Sequence, residues 1–496
     1  MKYILALDEG TTSARSILFD RQARPAAADQ IPIECEYPRD GWVQQDAERI
    51  WQAQETSIRR AVEKAGATFA DIAAIGITNQ RETTVVWERA TGEPVGPAVV
   101  WQCRRTGAVC RRLIEAGAGK AVTRATGLVI DPYFSATKIS WILDHIPDGR
   151  RRGEDGELLF GTVDSWLIWK LTKGRKHVID VTNASRTLLL NLAQSDWDVQ
   201  MLDLFGVPRP MLPEIVPSCG VVAQTDPSHF GREIPIAGVA GDQHAALFGQ
   251  TCFRPGLSKN TYGTGCFLLM HTGEHMAKSR NGMLSTTAAN ETPGELGQRY
   301  ALEGSIFIAG AVVQWLRDNL ELIQTAAESA AVAESVPDSA GVYLVPAFVG
   351  LGAPHWDSHA RGVITGLTRA AGAAHLVRAG LESIAYQTRE LVDAMEKDAD
   401  DTIEELRADG GAAANDFLLQ FQADILGKPV VRPKNLETTA LGAAFLAGQA
   451  AGFWKGTAEL EQFWEVERRF EPEMTDARRE ELYAGWKEAI KKSRTN

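Results

Sequence analysis

The chain has 496 residues, a formal net charge of −12, 44% hydrophobic residues and 23% charged residues. It is too long for one hydrophobic core, so two large domains are expected, and its acidic balance argues against general nucleic-acid binding. Six cysteines (Cys35, Cys103, Cys110, Cys219, Cys252, Cys266) show no C-x-x-C spacing, which fits a reducing cytoplasm and argues against a disulfide framework or a zinc site.

The apolar start, Tyr3 to Leu7, is too short for a signal peptide. Two apolar runs flank Asp8-Glu9-Gly10-Thr11-Thr12-Ser13-Ala14-Arg15 and predict a β-hairpin. Asp46 opens a helical pattern over 47–65, with Ile50, Ile58, Ala61 and Val62 on one face and Gly66 as its stop. Residues 72–78 read as a buried strand running into Asn79-Gln80-Arg81-Glu82, and 83–87 and 99–103 as two more strands. A turn at 131–135 precedes a helix around 138–144. Arg150, Arg151 and Arg152 are followed by Glu154, Asp155 and Glu157, which predicts a solvated loop. A strand from Ile234 leads into Gly241-Asp242-Gln243 and a helix through Ala245 and Phe248. Arg254-Pro255-Gly256 reads as a linker, giving domains 1–253 and 254–496.

The second half repeats the opening pattern. Residues 259–269 hold a second Gly-Thr turn, Gly263-Thr264-Gly265, leading into an apolar strand. A helix over 311–323, a strand over 342–346, a Gly-rich loop over 350–357 and a long helix over 375–395 follow. A strand then ends in Gly410-Gly411, with a helix over 415–426 after it and a charged helix over 476–492. The alternation indicates α/β architecture. The small-residue run Ala440 to Ala447 is too short to span a membrane.

No Walker A loop and no G-x-G-x-x-G turn occurs, so the hairpins at Gly10–Thr12 and Gly263–Thr264 must supply the phosphate donors if a nucleotide binds. Each hairpin is otherwise an ordinary Gly-Thr turn. Two such hairpins, one per half, suggest a nucleotide clamped between duplicated halves, as in actin-like ATPases. Asp242 reads either as a helix N-cap or as a general base aimed at a hydroxyl. Arg81 and Glu82 are either solvated charges or donor and acceptor for a polyol. Gly410-Gly411 is either a plain turn or a flat surface for an adenosine. His355, Asp357 and His359 invite a metal reading that their Gly-Pro loop argues against.

At these residues the chain resembles the glycerol-phosphorylating branch of the FGGY family of carbohydrate kinases. The resemblance runs through Gly10–Arg15, Gly76–Thr84, Val100–Thr106, Gly127–Ser135, Ala240–Gln243 and Asn260–Phe267, and covers nearly the whole chain. It implies two actin-like (ribonuclease H-like) ATPase domains with nucleotide and substrate in the cleft between them. It implies transfer of a phosphoryl group from ATP to glycerol, giving sn-glycerol 3-phosphate, the first step of glycerol catabolism. Arg81, Glu82, Tyr133, Asp242 and Gln243 would bind the glycerol hydroxyls, with Trp101 and Phe267 over the carbon face and Thr11 beside them. Asp242 would be the base. Thr11, Thr12, Ser13 and Arg15 would hold the phosphates, and Thr264, Gly310, Gln314, Gly411 and Asn415 would complete the nucleotide site. Asp8 would position Mg²⁺ through water. A cytoplasmic homodimer or homotetramer without membrane insertion is implied.

Two departures stand out: Glu9 where the family carries Gln, placing a negative charge beside the phosphates, and His355 where it carries Tyr. Some such kinases also carry a glycine-rich loop before the Asp-Gln pair that binds fructose 1,6-bisphosphate. Here the segment 224–233 contains Pro227, Asp226 and Glu233, so that inhibition is not expected. His229-Phe230 resembles a subgroup whose loop histidine is phosphorylated by the sugar phosphotransferase system; an ordinary surface histidine is the alternative. The rivals from other classes are a chaperone or filament ATPase, which has no need of Arg81-Glu82 with Asp242-Gln243, and a kinase for a longer polyol or ketose.

Overall fold

The computed structural model describes residues 2–495. The first hairpin seeds a six-stranded sheet. Strands β1 (Tyr3–Glu9), β2 (Ser13–Phe19) and β3 (Pro25–Pro32) form an antiparallel meander in which Asp8 faces Arg15. Strand β4 (Ile72–Asn79) pairs in parallel with β1. Strand β6 (Pro235–Gly241) pairs in parallel with β4, and β5 (Cys219–Gln224) closes that edge antiparallel. Side chains alternate between the faces. Leu5 and Leu7 enter the core beneath helix α1 (Ala47–Lys64), while Ile4 and Ala6 enter the opposite core. Asp46 caps α1 by accepting from the Glu48 and Arg49 N–H groups, as the sequence predicts.

The second sheet contains β7 (Ser258–Tyr262), β8 (Cys266–Gly273), β9 (Leu284–Thr287), β10 (Tyr300–Ile306), β11 (Leu406–Asp409), β12 (Val430–Pro433) and β13 (Val466–Phe470). Their order is β9-β10-β8-β7-β11-β12-β13. Its centre repeats the first sheet: an antiparallel hairpin, β7–β8, extended by β10 on one side and by parallel strands β11 and β12 on the other.

Helix α2 (Asp242–Gly249) follows β6, helix α3 (Gly310–Asp318) follows β10, helix α4 (Ala373–Ala399) backs the second sheet, and helix α5 (Asp416–Leu426) follows β11. Helix α6 (Thr438–Ala450) lies against α2 and the strands of the first sheet although it follows β12 in the second. The approach is backbone to backbone: a Cβ at Gly249 would overlap the Thr438 carbonyl, and one at Gly442 the Ala245 carbonyl. This crossing explains the small-residue run at 440–447, which is buried against α2 and the first sheet. No helix among the described residues is long and apolar enough to cross a membrane.

Four local expectations differ. The strand expected over 99–103 covers only Ala98–Val99, because the chain tightens into a turn in which the Cys103 N–H donates to the Val100 carbonyl. The strand expected over 83–87 runs Val85–Glu88, since Thr83 closes a tight turn onto Arg81. The helix expected over 311–323 stops at Asp318, where Asn319 caps it and Glu321 turns left-handed. The basic run Arg150–Arg152 lies in a short helix, Gly149–Glu154, its charges taken by Asp144, Asp148, Asp155, Glu88 and Glu157.

Candidate active site

Strand β4 ends in a turn that turns two charges inward. Glu82 has φ +60°, a conformation costly for a residue with a Cβ. The Thr83 N–H donates to the Arg81 carbonyl at 2.7 Å, and both Arg81 and Glu82 are buried. Strand β6 ends beside them at Gly241, which takes the N-cap position, so Asp242 begins α2. The Asp242 carboxylate accepts from the Gln243 N–H at 2.8 Å and lies 3.0 Å from Arg81 Nε. It is 31% exposed, toward a cavity of about 530 Å³. Burial raises its pKa above the ordinary carboxylate range, against the pull of Arg81 and Lys259.

That cavity lies between the sheets and is lined by Thr11, Arg81, Glu82, Trp101, Tyr133, Asp242, Thr264 and Phe267, among others. Both Gly-Thr hairpins therefore open onto one space. Trp101 Nε1 donates to Thr11 Oγ1 at 2.9 Å, which fixes the indole at the first hairpin. The Trp101 ring stands edge-on to Tyr133 and Phe267, with centroids 5.6 and 6.2 Å away. Gln243 is held by Lys259 Nζ, which donates to its Oε1 at 2.5 Å and to Thr261 Oγ1 at 2.9 Å. Burial brings the Lys259 pKa down to about 8.

At the first hairpin, Thr12 is exposed and Ser13 Oγ accepts from Gln30 Nε2 at 2.7 Å. Arg15 reaches Asp8 at 2.7 Å and Glu437, just before α6, at 2.6 Å. Glu9 does not face the same space: it is fully buried, neither carboxylate oxygen has a hydrogen-bond partner among the described residues, and burial beside Asp8 raises its pKa well above the usual range. Burial thus works against a charge on this carboxyl, and it lies within the fold and not beside the phosphate hairpin, where the sequence reading put an added charge. The second hairpin meets the start of α3, where the Gly310 N–H donates to the Gly263 carbonyl at 2.9 Å. Gln314 is exposed on the same helix. Gly410, at φ +85°, packs on Tyr262, while Gly411 is exposed. Asn415 caps α5, its Oδ1 accepting from the Leu418 N–H at 2.9 Å and its Nδ2 donating to Ser329 Oγ at 3.1 Å.

Three buried charges escaped the sequence reading: Arg186, Lys259 and Glu303. Arg186 Nε donates to Glu82 Oε1 at 2.7 Å, and Glu303 receives both Arg81 and Arg186. The available signal was a charge inside an otherwise buried strand, in 258–262 and 300–306. Arg186 gave no such signal. Phe307 also lines the cavity and was not singled out.

His355 Nε2 lies 3.1 Å from Glu390, and Asp357 accepts from the His359 and Thr495 N–H groups. His229 is not an exposed loop histidine: its side chain is 10% exposed, packs edge-on to Trp51 and places Nε2 3.0 Å from the Lys170 carbonyl.

Comparison with known proteins places the chain in a family. Residues 3–249 match the N-terminal domain model, and residues 258–451 the C-terminal domain model, of the FGGY family of carbohydrate kinases. The chain is 57% identical over 493 residues to glycerol kinase 2 of Thermotoga maritima, covering 99% of each chain. It is 56% identical over 492 residues to the glycerol kinase of Caldanaerobacter subterraneus, covering 99% of this chain and 98% of the relative. The crystal structure of Plasmodium falciparum glycerol kinase with ADP superposes with a TM-score of 0.92 at 34% identity, covering 99% and 98% of the two chains. Both halves and nearly the full length match, and the chain belongs to the FGGY family of carbohydrate kinases.

Proposed function

We propose that the protein transfers the γ-phosphoryl group of ATP to a terminal hydroxyl of glycerol, giving sn-glycerol 3-phosphate. The carrying observation is the convergence of Arg81, Glu82, Tyr133 and Asp242, walled by Trp101 and Phe267, in one cavity that both Gly-Thr hairpins also line. The glycerol kinases at 56–57% identity support glycerol as the acceptor.

In this reading Arg81 donates to the polyol oxygens while Glu82 and Asp242 accept from its hydroxyls, and Tyr133 and Gln243 complete the set. Trp101 and Phe267 cover the carbon face. Asp242 takes the proton of the attacking hydroxyl, whose oxygen bonds to the γ-phosphorus as the bond to the β-phosphate oxygen breaks in line. A base with a raised pKa is better matched to that proton than an ordinary aspartate. Thr11, Thr12, Ser13 and Thr264 donate to phosphate oxygens, with Arg15 as a fixed charge. Gly310, Gln314, Gly411 and Asn415 receive the nucleoside. The donor set at Asp8, one partly exposed carboxylate beside the phosphate loop, fits Mg²⁺, which binds through one or two carboxylates, waters and phosphates. When bound there it would offset charge on the transferring phosphoryl group. Domains 1–253 and 254–496 close over the two substrates and keep water from the phosphoryl group.

Asp242→Asn keeps the shape and removes the base. Its kcat should fall on the order of 10²-fold or more while calorimetry still detects glycerol binding. A kcat near that of the parent enzyme would remove Asp242 from the role.

A further inference from the structure

Charges that face the cavity from the first sheet are held by a residue of the second. Glu303 lies on β10, is fully buried and does not line the cavity. Its Oε2 accepts from Arg81 Nη1 at 2.5 Å. Its Oε1 accepts from Arg81 Nη2 at 2.9 Å, Arg186 Nη2 at 3.0 Å and Ser305 Oγ at 3.2 Å. Each arginine turns its Nε to a carboxylate that faces the cavity: Arg81 lies 3.0 Å from Asp242, and Arg186 2.7 Å from Glu82. Glu303 is thus the centre of a chain running Glu82–Arg186–Glu303–Arg81–Asp242.

We propose that Glu303 is a positioning residue for the acceptor, setting through the two arginines the orientation of all three charged groups of the polyol site. The inference rests on the reading of Arg81, Glu82 and Asp242 as that site. A guanidinium carries its donors in a rigid plane, so a carboxylate gripping both Nη atoms fixes the plane and aims the remaining donors. Without Glu303 the two buried guanidinium groups lose their shared anchor and keep only Asp242 and Glu82, the carboxylates they orient. Glu303 comes from the second sheet, so the acceptor site is complete only when the two halves are seated together at this point. Acceptor affinity should depend on Glu303; nucleotide affinity should not.

The test is steady-state kinetics of the full-length enzyme with Glu303→Gln, Arg81→Ala and the double variant. Glu303→Gln should raise the glycerol KM on the order of tenfold or more and leave the ATP KM within about twofold. The double variant should lose clearly less than the product of the two single losses, because part of the effect of Glu303 runs through Arg81 and the rest through Arg186. An unchanged glycerol KM, an equal rise in both KM values, or additive losses would overturn the inference. If Glu303→Gln does not fold, Glu303→Asp decides: it keeps the charge but is one methylene too short to span both arginines, and should raise the glycerol KM severalfold. An unchanged glycerol KM in that folded variant also overturns it. If Arg81→Ala itself leaves the glycerol KM unchanged, the reading of the site fails rather than the role of Glu303.

Discussion

Glu9 and Asp8 are neighbours on β1 whose side chains point to opposite faces, and that alternation gives them opposite chemistry. Asp8 pairs with Arg15 at the hairpin, while Glu9 is enclosed without a hydrogen-bond partner among the described residues. An acid whose native pKa is raised holds its proton in the folded state and loses it on unfolding. Stability therefore falls as pH rises above the ordinary glutamate range, by about 1.4 kcal/mol per pH unit until the native pKa is reached. Glu9→Gln removes that slope, so thermal unfolding from pH 5 to 8 should show the variant gaining on the parent as pH rises. Parallel curves would contradict a raised pKa at Glu9. The same scale shows what the sequence could reveal. Arg81, Glu82 and Asp242 stand beside strand ends and turns, where local patterns are readable. Glu303 and Arg186 reach them from 222 and 104 residues away in the chain, respectively to Arg81 and Glu82. No local period encodes such a meeting.

Helices with a cap and a single apolar face were legible almost to the residue. Asp46 and α1 are the case: cap, buried stripe and stop all sit in consecutive sequence. The strand expected at 99–103 was not, because its apolar residues serve a turn that lifts Trp101 into the cavity. The segment after β5 is an element whose chemistry follows from its fold. Asp226 caps the short helix Pro227–Phe230, accepting from the Ser228 N–H at 3.0 Å. Arg232 donates to the Ala70 carbonyl at 3.3 Å and to the Glu233 carbonyl at 3.1 Å. The N–H groups of Ser228, His229 and Gly231 are spent within that helix, those of Thr225 and Asp226 go to the Ile234 and Leu171 carbonyls, Pro227 has none, and Asp226 and Glu233 repel phosphate. Millimolar fructose 1,6-bisphosphate should therefore leave the initial velocity at fixed glycerol and ATP unchanged. Saturable inhibition lost in Arg232→Ala would contradict this reading of the loop.

Across the whole molecule, two sheets of the same central design meet along α2 and α6. The duplication was legible in the two Gly-Thr hairpins; the crossing of α6 onto the first sheet was not, because a run of small residues specifies close approach without naming the surface approached. Glycines at 249 and 442 bring the backbones of these two helices together. Glu303, on the second sheet, holds Arg81 and Arg186 of the first half across the same boundary. The cavity above is walled by Trp101, Tyr133 and Phe267 on the acceptor side and opens toward the hairpins. A cleft built this way should pass phosphate only to an acceptor short enough for the aromatic wall and rich enough in hydroxyls for the charge set. The most direct measurement incubates the purified enzyme with Mg-ATP and, separately, glycerol, xylulose, gluconate, erythritol or water, with products identified by phosphorus NMR. The account predicts sn-glycerol 3-phosphate as the dominant product, kcat/KM for glycerol at least on the order of 10²-fold above any longer acceptor, and little ATP consumed without an acceptor. Preferred phosphorylation of a longer acceptor, or ATP hydrolysis as fast without glycerol as with it, would contradict it.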